Sequence, residues 1–228
     1  MQTVFLVTPS PFRGYLLDGC INENDYIIVE KAKDFVVPYE TGFGDDLIRE
    51  WYEPFTENLL PENNCIFVDN INSPEAVNIF ESNGYPEKLI LSGANFIRPK
   101  SYKKLSDNIT TMLNIHIGDI RQYRGLDSNL WQALEQPDSY PAVSLHHVSD
   151  KIDKGHIETI VVSKQKFKDL TLCDMKRFEI EAARSCLLKA LEIGTPTSQT
   201  KSHQFEGNYR TAMSSKEKQS VFCNFLNQ

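Results

Sequence analysis

The sequence is poor in the features that mark several specialised classes. Its 228 residues include only five cysteines, Cys20, Cys65, Cys173, Cys186 and Cys223, an odd number with no Cys-x-x-Cys pair. A disulfide framework or a cysteine-based zinc site is therefore not expected, and the usage fits a reducing, cytoplasmic compartment. No apolar run approaches the roughly 20 residues needed to span a bilayer. The opening residues, MQTVFLVTPSP, hold a short apolar run with no basic segment before it and read as a strand, not a signal peptide. Positive charge is also scarce: 24 Lys and Arg against 31 Asp and Glu give a net charge of −7. Such a chain repels polyphosphate at long range, so neither a nucleic-acid partner nor a membrane surface is expected. A local basic patch can still hold one small anion.

The phosphate-binding loops of nucleotide enzymes are missing too. After the first strand stands TPSPFRG, which lacks the Gly-x-Gly-x-x-Gly needed for close pyrophosphate approach. GFG at 42–44 follows no strand and reads as a turn, and no Walker-type loop occurs.

What is present is a globular α/β pattern, 40% hydrophobic and 24% charged, long enough for one large domain. Short strands are expected at Val4–Thr8, Tyr26–Val29, 65–68, 88–93, 111–117, Ala142–Val148 and Ile157–Val162. Helices are expected at Asp45–Leu60, from Ser73-Pro74-Glu75 through Phe80 to a stop at Gly84, at Pro99–Leu105, at Asp127–Leu134 and at about 174–193. In the last, Met175, Phe178, Ala182 and Cys186 form one stripe, Thr171 and Asp174 have capping-box spacing, and Gly194 is the expected C-terminal cap. The alternation argues for a mostly parallel sheet. A polar loop over 195–204 then leads to a small C-terminal segment, so the chain divides into a main domain, 1–194, and an extension, 195–228.

Chemistry concentrates in two stretches. In LNIHIGDIRQYRG, Asn114 and His116 lie two apart in a strand, so both side chains point to one face, near the end where parallel sheets place ligands. An amide and an imidazole side by side can donate to a developing oxyanion, and the imidazole can accept a proton. A hydrogen-bonded pair at the edge of the core fits the same spacing. In AVSLHHVSDKIDKGHI, His146 and His147 are adjacent in a strand and point to opposite faces, which argues against a shared metal, and no metal site is expected. Asp150 and Asp153 follow in a loop, where a carboxylate can orient and charge His116 or simply sit in a solvated turn.

Together these stretches resemble the formyltransferase family that uses 10-formyltetrahydrofolate. That family carries Asn-x-His, a loop with Arg-Gly, a strand of the type Val-Ser/Thr-x-His, then Ile-Asp-x-Gly-x-Ile. LILSGANFIRP at 89–99 is similar to its preceding strand and folate loop, and the resemblance covers about residues 85–165. It implies a Rossmann-like catalytic domain with an open cleft, a trio of Asn114, His116 and Asp153, and His146 in support. It also implies a pterin site between the 93–98 and 148–153 loops, from Gly93, Phe96, Ile97, Arg98, Ser149 and Asp150, largely through backbone groups. In that scheme protonated His116 and Asn114 stabilise the oxyanion, and Asp153 favours the charged imidazole. Two departures stand out: DIRQ replaces the common Leu-Leu-Pro, and Lys154 stands within Asp-Lys-Gly where Thr is usual.

The family formylates methionyl-tRNA, glycinamide ribonucleotide, nucleotide-linked amino sugars and hydroxyornithine. The acidic chain and its early end argue against tRNA, while HIGDIRQYRG and GNYRTAM resemble the sugar enzymes. The expected acceptor is a nucleotide-linked amino sugar, with Arg13 as a candidate for its phosphates and Tyr209 for its base. Glycinamide ribonucleotide or another small amine is the alternative acceptor, and a non-catalytic folate-binding protein is the alternative class. By the same resemblance a homodimer is expected.

Overall fold

The computed structural model of the protein describes residues 2–8, 11–31, 60, 64–194 and 207–226. The helix expected over 45–60, apart from its last residue, GFG at 42–44 and the loop expected over 195–204 lie outside these residues.

Seven strands form one sheet, in the order β3-β2-β1-β4-β5-β7-β8. They are β1 (Thr3–Val7), β2 (Tyr26–Glu30), β3 (Cys65–Val68), β4 (Lys88–Ser92), β5 (Thr111–His116), β7 (Ala142–His147) and β8 (Ile157–Val162). The first five are parallel, and β7 and β8 are antiparallel to their neighbours. The mostly parallel sheet expected from the alternation is therefore present, with one reversed strand, β7, next to the edge strand β8, which runs again in the direction of the first five. The reversal follows from the β5–β7 connection. It forms β6 (Tyr123–Gly125) and α4 (Ser128–Glu135) and returns the chain beside the end of β5, His116 against Ser144, so β7 runs back along it.

Apolar side chains alternate between the two faces, which sorts each strand by parity. On one face Phe5, Val7, Ile27, Ile90, Leu113 and Ile115 pack against α1 (Pro11–Leu17) and α5 (Leu172–Glu192). On the other, Val4, Leu6, Ile28, Leu89 and Met112 meet Ala76 and Phe80 of α2 (Pro74–Asn83) and Leu105 of α3 (Pro99–Ser106). Each fully buried Leu or Ile contributes roughly 1.5–3 kcal/mol. Asn114 and His116 share the parity of Met112 and so lie on the second face.

The helix ends show their causes. Ser73 Oγ accepts from Ala76 N at 3.2 Å with Pro74 at the first turn, and Gly84 stops α2 at φ +78°. Thr171 Oγ1 accepts from Asp174 N at 3.1 Å and donates to Asp174 Oδ2 at 2.6 Å. The expected cap at Gly194 is not formed. The chain turns extended at Ile193, and Gly194 does not adopt the left-handed conformation. Instead Lys88, the buried first residue of β4, donates from Nζ to the carbonyls of Ala190 and Leu191 at 2.7 and 2.9 Å. A cation at the C-terminal carbonyls does the work of the cap from the neighbouring strand.

The C-terminal segment packs on the rest of the chain. β9 (Asn208–Arg210) pairs in parallel with β6, and α6 (Ser215–Leu226) buries Val221, Phe222 and Phe225 against Ala133, Leu172 and Met175. Among the described residues no helix is long and apolar enough to cross a membrane, and no group of His, Cys, Asp and Glu is placed to hold a metal ion.

Candidate active site

The site is built where β5 ends. Asn114 and His116 project from one face of the strand, and the turn after β7 brings Asp153 to them. Asp153 Oδ2 faces His116 Nδ1 at 3.5 Å, and its Oδ1 lies 3.4 Å from Asn114 Nδ2 and 3.4 Å from His146 Nε2. The Gly125 N–H donates to Oδ2 at 2.8 Å. Asp153 takes a left-handed backbone, φ +48°, which Asp tolerates better than most residues and which aims the carboxylate inward. Two residues on, a Cβ at Gly155 would lie 1.6 Å from the His147 carbonyl oxygen, so the turn can approach β7 only with glycine there.

His146 has a definite role in this geometry. Its Nδ1 lies 2.8 Å from the His147 carbonyl, which can only accept, so Nδ1 carries the proton. Nε2 is then the acceptor for the Asn114 amide at 3.1 Å. One Asn114 N–H is thereby committed, while the other has only the long Asp153 contact. His147 points elsewhere, to Glu158 Oε1 at 2.7 Å.

The charges are set by burial and contact. Burial works against the Asp153 carboxylate, but the His116 and His146 imidazoles and the Gly125 N–H outweigh it and hold its pKa well below the usual range. His116 moves the other way from the expectation. Burial pushes its pKa down, and the opposing pull of Asp153 does not overcome this. The imidazole therefore stands neutral at neutral pH, with Nδ1–H selected by the acceptor-only carboxylate and Nε2 left as the lone-pair nitrogen. Nε2 is buried and makes no well-formed hydrogen bond. A neutral imidazole held beside an amide donor and a carboxylate can take a proton from a nucleophile while the amide meets negative charge.

The loop that departs from Leu-Leu-Pro is closed by its own polar groups. Arg121 donates from Nε and Nη2 to the buried Asp119 at 2.9 and 2.7 Å. Ser144 on β7 donates to the Gly118 carbonyl at 2.6 Å. Gly118, at φ +152°, is needed for space: a Cβ would lie 2.6 Å from Ser128 Cβ and 3.0 Å from His116 Nε2.

The two loops expected to hold a pterin face one another across the second core. Val148 packs on the cluster that contains Ile97 and Leu105, and Asp150 is close enough to Tyr102 of α3 to help burial raise that phenol's pKa. The 93–98 loop is pinned from behind. Buried Glu30 accepts from the Asn95 N–H at 2.9 Å, and Asn72 donates to the Phe96 carbonyl at 3.0 Å and accepts from the Arg98 N–H at 2.6 Å. Gly93, at φ +70°, and Arg98 are exposed and Phe96 is half-buried, while the Ile97 side chain is buried in the core. Ser149 Oγ is occupied by a local turn with Lys151.

The remaining candidates lie at the margins. Arg13 is buried, not solvated: it donates to Ser92 Oγ at 2.7 Å, stacks 4.4 Å from the Phe12 ring centroid and fills the space above Gly93. That places it over the β1–β4 switch point, where the chain order diverges and open α/β sheets bind ligands. Tyr209 is exposed on β9 and lies against Gly125, whose N–H donates to the Asp153 carboxylate. Sequence reasoning missed Arg124, Glu30 and Asn72. Arg124 stood within the Arg-Gly pair already singled out; the other two act on the 93–98 loop from positions far away in sequence and carry no local signal.

No protein-family model matches the sequence, and no curated protein does. Solved structures do. A sugar N-formyltransferase from Shewanella superposes with TM-score 0.60 at 14% identity, covering 99% of this chain and 88% of its own. The chain has the formyltransferase fold. Phosphoribosylglycinamide formyltransferase from Campylobacter jejuni gives TM-score 0.56 at 13% identity, over 84% of this chain and 95% of that one. HypX from Aquifex aeolicus, solved in complex with tetrahydrofolic acid, gives 0.53 at 17% identity, covering 95% of this chain but 30% of that protein.

Proposed function

We propose that this protein is an N-formyltransferase that moves a formyl group from 10-formyltetrahydrofolate to the primary amine of a small acceptor. The convergence of Asn114, His116 and Asp153 at the end of β5, within 3.5 Å of one another through the Asp153 carboxylate, carries the reading. When bound between the 93–98 and 148–153 loops, the donor supplies an activated formyl carbon. The chain's own residues do the rest. Neutral His116 receives the proton that the attacking amine must lose and returns it to the donor nitrogen that departs as its bond to the formyl carbon breaks, so the ring ends neutral. Asn114, its amide fixed by His146, directs its second N–H at the charge that develops on the carbonyl oxygen, a contribution on the order of 3 kcal/mol. Asp153 stabilises the imidazolium as it forms. Glu30 and Asn72 hold the donor loop, so alignment of the two reactants is set before the reaction.

The acceptor we favour is a nucleotide-linked amino sugar. The sugar-enzyme-like HIGDIRQYRG and GNYRTAM segments and the similarity to the Shewanella enzyme support it. Arg13 would supply positive charge to a phosphate at the switch point, and the exposed ring of Tyr209 would stack on a base. Glycinamide ribonucleotide is the second reading, favoured by the similarity to the Campylobacter enzyme and to glycinamide ribonucleotide transformylase 1 from Symbiobacterium toebii. The deciding experiment offers nucleotide-linked 3- and 4-amino sugars, glycinamide ribonucleotide and hydroxyornithine with 10-formyltetrahydrofolate. Transfer to glycinamide ribonucleotide and to no amino sugar would reverse the choice of acceptor. Folate binding without transfer to any amine would point to the non-catalytic class.

A further inference from the structure

The C-terminal strand and the catalytic turn meet at one side chain. Arg124 donates from Nε to the Gly207 carbonyl at 2.8 Å and from Nη1 to the Ile152 carbonyl at 3.2 Å. Ile152 is the residue before Asp153, whose left-handed backbone aims the carboxylate. Gly125, the residue after Arg124, donates its N–H to that same carboxylate. Along this stretch the 207–210 segment is fitted closely. The Asn208 N–H donates to the Gln122 carbonyl at 2.8 Å, the Leu126 N–H donates to the Arg210 carbonyl at 3.1 Å, and β9 pairs with β6. A Cβ at Gly207 would lie 2.7 Å from the Ile120 carbonyl oxygen. Further along, the Trp131 indole donates to the Thr211 carbonyl at 2.9 Å and Arg210 pairs with Glu135.

We infer that Arg124 is a positioning residue: through it, docking of the 207–210 strand sets the turn that presents Asp153 to His116 and Asn114. The guanidinium is suited to this because its planar fork can hold two carbonyls at once in fixed directions, which a lysine ammonium on a flexible stem does not. The peptide before Asp153 is held from one side by Arg124 and its side chain from the other by Gly125, so the strained backbone conformation is over-determined by its surroundings. Because Tyr209 lies exposed on the docked strand, an acceptor that stacks on it would press on the element that aligns the catalytic carboxylate.

The kinetic part of the test rests on the formyl-transfer reading; the spectroscopic part does not. Arg124→Met removes both donors and keeps most of the stem. With folding checked by circular dichroism, kcat is expected to fall by about tenfold while KM for either substrate stays within about twofold. The titration of the His116 imidazole, followed by NMR, is expected to move, because burial sets it first and Asp153, His146, the Tyr123 backbone and Asp119 act on it next, and Asp153 is displaced. In an Asp153→Asn background the same substitution should change kcat by less than about twofold and leave the His116 titration where Asp153→Asn alone puts it, because residues acting through one another are not additive. Equal effects in both backgrounds, or an unmoved His116 in folded Arg124→Met, would overturn the inference. Gly207→Ala provides an independent route that leaves Arg124 intact: it should shift the strand and move His116 in the same non-additive way, and an unmoved His116 there would also overturn it. Absence of transfer by the unsubstituted protein would sink the proposed function and leave the NMR cycle standing.

Discussion

Replacing Asp153 by Asn tests the electrostatic core of the mechanism. The amide has nearly the volume of the carboxylate, and Asn tolerates the left-handed backbone of this position, so the turn is kept. What changes is charge. The imidazolium and the carboxylate would stand 3.5 Å apart. At an effective dielectric constant of about 20, unit charges at that separation attract by roughly 5 kcal/mol. In the free protein His116 is neutral, because burial lowers its pKa, so this attraction is absent from the ground state and grows as the proton arrives. Only such a differential interaction accelerates a step. If about half the charge has developed at the transition state, the loss is about 2–3 kcal/mol, or on the order of 10²-fold in kcat. The assay is formyl transfer at saturating donor and acceptor, with circular dichroism to check the fold and KM expected to stay within a few-fold. A folded Asp153→Asn variant with kcat within about threefold of the parent would refute the reasoning, since it would mean that no positive charge builds on His116.

His116→Ala and Asn114→Ala should each lower turnover by at least about a hundredfold with the fold retained, measured by the same transfer assay. Stability should depend on acid through both titrating partners. His116 has a folded pKa below its unfolded value, so the unfolded chain binds the extra proton first, and stability declines as pH drops below about 6.5. Asp153 has a depressed folded pKa, so its contribution is present above about 3.9 and is lost as pH falls through the folded value. Denaturant melts of His116→Gln should therefore lack up to about 1.4 kcal/mol per pH unit of the slope seen just below pH 6.5 in the parent. Gly155→Ala places a methyl group 1.6 Å from the His147 carbonyl oxygen and should destabilise by about 3 kcal/mol, read as a lower midpoint in urea, with activity falling as the turn shifts.

Much of this arrangement was legible because local patterns carried it. The parity of Asn114 and His116, the capping of α2 by Ser73 and Pro74, and the start of α5 at Thr171 are short-range consequences of residue type and spacing, and they appear in the structure as expected. The errors came where distant residues decide. Nothing near Gly194 indicates that Lys88, some hundred residues earlier, already satisfies the last carbonyls of α5. The direction of the His116 shift was not legible either. The adjacent carboxylate argues for a raised pKa, but the depth of burial, which sequence does not give, pulls it down. Glu30 and Asn72 were invisible because their partners are backbone groups on another loop. Nor was the burial of Arg13 legible, because Ser92 and Gly93 come to it only when β1 and β4 lie side by side.

The neutral state of His116 changes which group the mechanism must rely on for the first step. An imidazolium would donate to the oxyanion from the start but could not accept the amine's proton. A neutral ring accepts it, and becomes a donor only afterwards. The division of labour then falls out of the hydrogen bonds. His146 is locked by the His147 carbonyl into the tautomer that orients the Asn114 amide, so Asn114 is the donor available before proton transfer. Asp153 stays ionised beside two imidazoles and the Gly125 N–H, so it is the charge available after. A single carboxylate thus touches every participant, and its placement depends on a turn whose backbone is left-handed at Asp153 and whose approach requires glycine at 155. In the proposed reaction kcat should accordingly be more sensitive to small shifts of this turn than to changes in the 93–98 loop, which is held separately by Glu30 and Asn72.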